Sequence, residues 1–202
     1  MSATYTFKTD FLTPEAFAPY GQVIQFKGNK NVVTANQGTA KRANYVANLV
    51  NERDGFKVAN VPMAEPNMCI FSSQPRPVQG GKLDLKVLER HPHSTQVFVP
   101  IKQTGVKDLN PDEPCYIVVV ADNGPDDKPV MSSIKAFVAT GTQGINYNHN
   151  TWHSPMVCIN KVVDFLVLVW ENKQPNQDTQ EVYTDGFTLD VSPYVSNVPS
   201  KL

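Results

Sequence analysis

Proton-carrying side chains are concentrated in two short stretches of this sequence. All four histidines fall in them. His91 and His93 lie in Leu88-Glu89-Arg90-His91-Pro92-His93-Ser94-Thr95-Gln96, and His149 and His153 in Asn148-His149-Asn150-Thr151-Trp152-His153-Ser154-Pro155. Histidine is the side chain most ready to move protons or bind a metal near neutral pH. Residues 83–87 alternate strictly between apolar and polar, as a half-buried strand does. Extending that alternation puts Glu89 and His91 on the inward face with Leu83, Leu85 and Val87. An ionisable pair on a core-facing strand end is unusual unless it lines a pocket. Gln96 on a neighbouring strand and His153 from the second stretch then complete one site. Desolvation on that face is expected to raise the Glu89 pKa and suit it to general-base work. The bland alternative makes Glu89 and His153 surface residues at strand ends. His93 and His149 read as polar residues near the pocket mouth.

The elements that must position these residues are short strands. Segments 4–8, 23–26, 43–50, 68–72, 83–87, 96–101, 116–120, 136–140, 145–150, 155–159 and 162–170 read as strands. Residues 182–191 read as a final hairpin around Asp185-Gly186, and 172–180 as a polar loop. Thr13-Pro14-Glu15-Ala16-Phe17-Ala18 is a short helix, with Thr13 as N-cap and Pro14 in the first turn. Residues 51–66 read as a loop. The 16 Pro and 11 Gly suit such a turn-rich β chain, and the pattern predicts an all-β sandwich or barrel. A length of 202 residues suits one domain, read as residues 1–199.

Composition excludes some classes of partner. The formal charge of −1 gives no basic surface for nucleic acid or for an anionic membrane. No apolar run is of membrane-spanning length. The three cysteines, Cys69, Cys115 and Cys158, sit in apolar runs and read as reduced core residues of an intracellular protein. The final Ser200-Lys201-Leu202 reads as a peroxisomal import address in a eukaryotic host, bound by the import receptor; in a host without peroxisomes the protein would be cytoplasmic.

Glu89-x-His91-x4-Gln96 resembles an altered first motif of the cupin barrels, with Glu for the first His and Gln for the final Glu. Asn150-x-x-His153 resembles their second motif. The residues around them resemble a narrower family. Leu88-Glu89-x-His91-Pro92-x-x-Thr95-Gln96-x-Phe98-x-Pro100 is similar to the signature of ureidoglycolate lyase. Phe17-x-x-Tyr20-Gly21, Asn36-Gln37-Gly38-Thr39, Ile134-Lys135-Ala136-Phe137, Trp152-His153-Ser154-Pro155 and Asp164-Phe165 extend the likeness over nearly the whole chain, and to the fungal branch in particular. The resemblance implies an all-β, cupin-like (jelly-roll-type) barrel with a few short peripheral helices, a homodimer, and cleavage of ureidoglycolate to glyoxylate and urea in allantoin degradation.

The chemistry of that substrate suits these residues. Its central carbon bears a hydroxyl, a carboxylate and a urea nitrogen. Releasing urea needs a base for the hydroxyl proton and an acid for the departing nitrogen. Glu89, His91 and His153 are the candidate proton carriers, and Gln96 can orient the ureido group. Arg42 or Arg90 can fork onto the carboxylate; Arg90 should point away from Glu89, which favours Arg42. Asn36 and Lys135 are further substrate-binding candidates, Lys135 standing where relatives often carry Arg and lacking its fork. A metal is left open: His91, His153, Glu89 and Gln96 offer two imidazoles, a carboxylate and a weak amide ligand, a set compatible with nickel or zinc. Two other classes fit less well, namely a metal-dependent dioxygenase or isomerase and a non-catalytic barrel that binds a small acid.

Overall fold

A computed structural model describes residues 5–55, 62–101 and 112–195. In chain order the elements begin with β1 (Tyr5–Phe11), α1 (Pro14–Phe17), β2 (Gly21–Ile24), β3 (Val32–Ala35), β4 (Ala40–Ala43) and β5 (Glu65–Ser73). They continue with β6 (Lys82–Arg90), β7 (Gln96–Ile101), β8 (Pro114–Ala121), β9 (Lys135–Thr140), β10 (Gly144–Tyr147), β11 (Trp152–His153) and β12 (Val157–Cys158). The last are β13 (Val163–Glu171), α2 (Pro175–Asp178) and β14 (Gln180–Asp190). This is a mostly β architecture, as the strand pattern predicts, and it is consistent with the cupin-like fold that the resemblance implies.

One sheet runs β11-β6-β14-β1-β9-β8-β12, and β11 pairs with β8 as well as with β6. Six strands therefore close on themselves. A second sheet, β2-β10-β7-β13-β5, packs against the closed ring, and β3 with β4 forms a separate hairpin. The β8 segment is apolar at every central position because both of its faces are covered. Ile117 and Val119 join Leu83, Leu85, Val138, Trp152 and Phe187 in the core of the ring. Tyr116, Val118 and Val120 face the second sheet and join Phe98, Tyr147 and Phe165. The helix α1 begins as expected, with Thr13 Oγ1 accepting from Ala16 N at 3.2 Å and Pro14 at its start.

The structure departs from the sequence reading in four places. Alternation along β6 changes phase after Leu85, because Leu88 joins Leu83 and Leu85 in the ring core. Glu89 therefore faces away from that core, towards the second sheet. The phase changes where the β6–β14 register shifts between Tyr183 and Phe187. The expected hairpin at Asp185-Gly186 is that same irregularity inside the continuous strand β14, with Gly186 at φ +102°. The polar stretch 28–42 contains the β3–β4 hairpin, whereas 44–50 is not a strand. There the backbone is satisfied by side chains, with Gln22 Oε1 accepting from Asn48 N and Asn146 Nδ2 donating to Asn48 O. The 172–180 loop contains the single helical turn α2.

Close approach of two backbones fixes one glycine. A Cβ on Gly21 would lie 2.0 Å from Asn146 O, across the β2–β10 pairing that also sets Tyr147 opposite Gly21. Gly21→Ala is expected to destabilise the fold by about 1–3 kcal/mol, the usual range for overpacking. Chemical denaturation of the variant checks this, and an unchanged midpoint would refute it.

Candidate active site

Two adjacent strands of the ring bring the first two groups together. His153 on β11 is the direct cross-strand partner of Glu89 on β6. Their side chains lie on the side that faces the second sheet, with His153 Nε2 3.6 Å from Glu89 Oε1. His91 follows β6 by one residue, and its carbonyl accepts from Asn150 N at 2.7 Å, tying it to the turn before β11. The two imidazoles are roughly parallel, with centroids 5.8 Å apart. The ligand-type atoms of Glu89, His91 and His153 all lie within 4.8 Å of one another.

The second sheet supplies the opposite wall. Gln96 opens β7 and pairs with Tyr147 at the end of β10. The Tyr147 ring stacks on His153 with centroids 4.0 Å apart, so His153 is held between Tyr147 and His91. The Gln96 amide lies beside His91. His153 is 2% exposed at its side chain and Glu89 18%, so the site is reached from the Glu89 side.

Each imidazole is pinned through Nδ1. His91 Nδ1 lies 2.7 Å from Asp178 O, and His153 Nδ1 lies 2.8 Å from Thr151 O. A carbonyl only accepts, so each Nδ1 carries the hydrogen and, in the neutral ring, each Nε2 is left as an acceptor. His91 Nε2, His153 Nε2 and Gln96 Oε1 are buried without a hydrogen-bond partner. With Glu89 Oε1 they form a cluster of acceptors facing one small volume, which calls for a shared proton, a substrate donor or a cation. Two imidazoles and a carboxylate, each imidazole braced by a carbonyl at its far nitrogen, are a donor set that fits a divalent metal.

The electrostatics overturn one expectation. Burial pushes the Glu89 carboxyl up, but its interaction with His153 and the charge of His91 together outweigh that effect, and the group sits below its usual value. The sequence reading counted the burial and missed the imidazole across the strand pair. Burial, reinforced by the neighbouring His153, pulls His91 down to about 4. His91 is therefore neutral at pH 7.

The remaining residues singled out from the sequence fall outside this cluster. Arg42 is exposed on the β3–β4 hairpin and Asn36 lies at its tip. Lys135 is exposed, with Nζ 5.6 Å from the centroid of the Tyr20 ring. Arg90 points away from Glu89 as expected. Its guanidinium forks onto Asp127 at 2.6 and 2.5 Å and lies 4.4 Å over the Trp152 ring. His149 is half-exposed and 3.2 Å from Glu52, consistent with a residue near the mouth. Sequence reasoning missed Tyr147, Arg53 and Asp178. The last two lie in segments read as loops, Arg53 within the charged run Glu52-Arg53-Asp54 and Asp178 in a polar stretch with Lys173, and neither pattern marks a site.

Comparisons with known proteins find relatives along nearly the whole chain. Residues 4–191 match the protein family described as Ureidoglycolate lyase. The chain is similar to the ureidoglycolate lyase of Schizosaccharomyces pombe, with 36% identity over 179 residues, covering 87% of this chain and 90% of the relative. It is 34% identical over 202 residues to that of Saccharomyces cerevisiae, covering 90% and 96%. It is 33% identical over 178 residues to that of Burkholderia cepacia, covering 88% and 87%.

The depressed His91 pKa makes stability pH-dependent. Between about 4 and 6.5 the unfolded chain binds a proton at His91 that the folded chain does not. Stability therefore rises with pH across that window and is lost on acidification. In chelator-treated protein the melting temperature is expected to fall from pH 6.5 to pH 4. His91→Asn should show a shallower fall; an equal slope would reject the assignment.

Proposed function

The chain belongs to the ureidoglycolate lyase family, and from that premise we propose that it cleaves ureidoglycolate to glyoxylate and urea, a step of allantoin degradation. The observation that carries the proposal is the convergence of Glu89, His91 and His153 within 4.8 Å, beside Gln96, with His91 Nε2, His153 Nε2 and Gln96 Oε1 buried and unpaired. Glu89 accepts the proton of the substrate hydroxyl. The hydroxyl oxygen becomes the carbonyl of glyoxylate as the carbon–nitrogen bond breaks, and the bonding pair leaves with the urea nitrogen. The proton taken up by Glu89 passes to His153 Nε2, 3.6 Å away, which hands it on to that nitrogen. The proton count closes across the pair. His91, neutral at pH 7, keeps an unprotonated Nε2 in the site, and Gln96 orients the ureido group. The family relationship disfavours a dioxygenase, an isomerase or a non-catalytic barrel.

We infer that Glu89, His91 and His153, with Gln96 as a weak fourth ligand, would hold a divalent nickel or zinc. Bound there, the ion would supply Lewis acidity to the substrate's oxygens. Roles for Arg42, Asn36 and Lys135 in holding the carboxylate rest on resemblance to the family, since all three lie outside the cluster.

A homodimer is part of the same proposal. On the outer face of the second sheet, Ile24, Ala47, Leu49, Met68, Leu166 and Leu168 line an apolar groove. Met68 is 64% exposed on β5, whose one strand partner among the described residues is β13. Apolar surface of this kind marks interaction sites. Peroxisomal import is proposed on Ser200-Lys201-Leu202 alone, which lie outside the described residues. A tag masking that tripeptide should leave the protein cytosolic with its activity in extracts intact.

Product analysis tests the reaction: urea is expected, whereas ammonia with carbon dioxide would indicate an amidohydrolase. Glu89→Gln keeps the shape of the side chain and removes the proton acceptor. Its turnover is expected to fall about a hundredfold or more, with the Michaelis constant within about tenfold. A folded Glu89→Gln enzyme with near wild-type turnover would shift the base assignment to His91.

A further inference from the structure

The tautomer of His91 is set from a distance. Its Nδ1 partner, Asp178 O, closes the one-turn helix α2, an element too short to hold its own position. What holds it is Arg53, more than a hundred residues earlier in the chain. Arg53 Nη1 donates to Trp170 O at 3.2 Å, at the end of β13. Its Nη2 donates to Gln177 O and, at 3.0 Å, to Asp178 Oδ1. The same Asp178 oxygen accepts from Asn172 N at 2.9 Å, closing the turn that carries α2. The Arg53 and Asp178 side chains are only 9% and 14% exposed.

The backbone just before Arg53 is anchored to the turn between β6 and β7, which follows His91. Glu52 N donates to His93 O at 2.8 Å, and Thr95 N donates to Val50 O at 3.0 Å. A circuit runs from His91 through Asp178 and Arg53 to the backbone of residues 93–95 and back to His91. A buried ion pair is a costly way to hold a loop, and breaking one partner away leaves an uncompensated charge. A planar fork that grips two carbonyls and a carboxylate at once is, however, a rigid way to fix where a third carbonyl points.

We propose that Arg53 and Asp178 are positioning residues that fix His91 in its Nδ1–H tautomer and so present its Nε2 lone pair to the reacting atoms. This rests on the assignment of Glu89, His91 and His153 as the site. Neither residue touches the cluster of acceptors through its side chain; both act through the Asp178 carbonyl. Loss of the fork lets α2 shift, His91 then samples the Nε2–H form, and the acceptor facing the substrate is replaced by a donor.

Two-bond proton–nitrogen spectra of the full-length protein labelled with nitrogen-15 histidine read the tautomer directly. In the wild-type protein at pH 7, His91 is expected as the Nδ1–H form. In Arg53→Met its signals should move towards the Nε2–H form. His153, held by Thr151 O, should stay unchanged and serve as the internal reference. Turnover should fall about 10- to 100-fold, as for other groups that orient an active-site histidine from behind, with the Michaelis constant within about threefold. Arg53→Lys, which keeps the charge and loses the fork, should recover only part of the turnover. An Nε2–H His91 in the wild-type protein overturns the proposal without any variant. So does a folded Arg53→Met enzyme with wild-type turnover and unchanged His91 signals. If Arg53→Met does not fold, the wild-type spectrum and Asp178→Asn decide the matter in the same way. His91→Asn separates the two layers. Wild-type turnover in that variant removes His91 from the site, whereas its inactivity alongside an unaffected Arg53→Met refutes the role of Arg53 alone.

Discussion

Two residues close the ring. β11 is only Trp152 and His153, yet it pairs with β6 on one side and β8 on the other. Side chains alternate across a strand, so its two residues face opposite ways. Trp152 enters the core of the ring, 2% exposed, and His153 enters the site between the sheets. The strand that completes the barrel and the strand that delivers the His153 imidazole are therefore one element. Its position is reinforced from the ring side, where Arg90 lies over the Trp152 ring and Trp152 Nε1 donates to Asn123 Oδ1 at 2.8 Å. Arg90 and Glu89 are neighbours on β6 that face opposite ways, one lying over Trp152 and the other beside His153.

That closure decides the electrostatics of the site. Pairing Glu89 directly across from His153 places a carboxylate and an imidazole side by side in a poorly solvated space. Burial alone would favour the neutral acid, and the neighbouring imidazoles reverse the outcome. His91 feels the same burial, and the neighbouring His153 imidazole adds to it, so both push it towards the neutral ring. The result is a carboxylate beside a neutral His91, with both imidazoles pinned at Nδ1 and open at Nε2. Such a site is ready to accept a proton or to bind a cation, and it relies on carbonyls outside the cluster to keep each ring turned the right way.

Much of this was legible in the sequence because strand geometry is local. The N-cap Thr13 and Pro14 marked α1, and the continuous apolar run of β8 marked a strand, whereas a period of two put Glu89 on the face of Leu83 and Leu85, which the structure reverses. The types and spacing of Glu89, His91, Gln96 and His153 were enough to nominate one site, and the family likeness supplied its reaction. Tertiary structure alone decided which cavity those residues share. The phase of β6 changes where its register with β14 shifts, and pairing between strands a hundred residues apart leaves no mark on either strand's own alternation. The Glu89 pKa depended on which group burial brought opposite it, and the tautomer of His91 on a guanidinium from a segment that reads as loop. Sequence sets which side chains are available and which way each leans from its own backbone; the long-range pairings set what each one meets, and that is where the chemistry is determined.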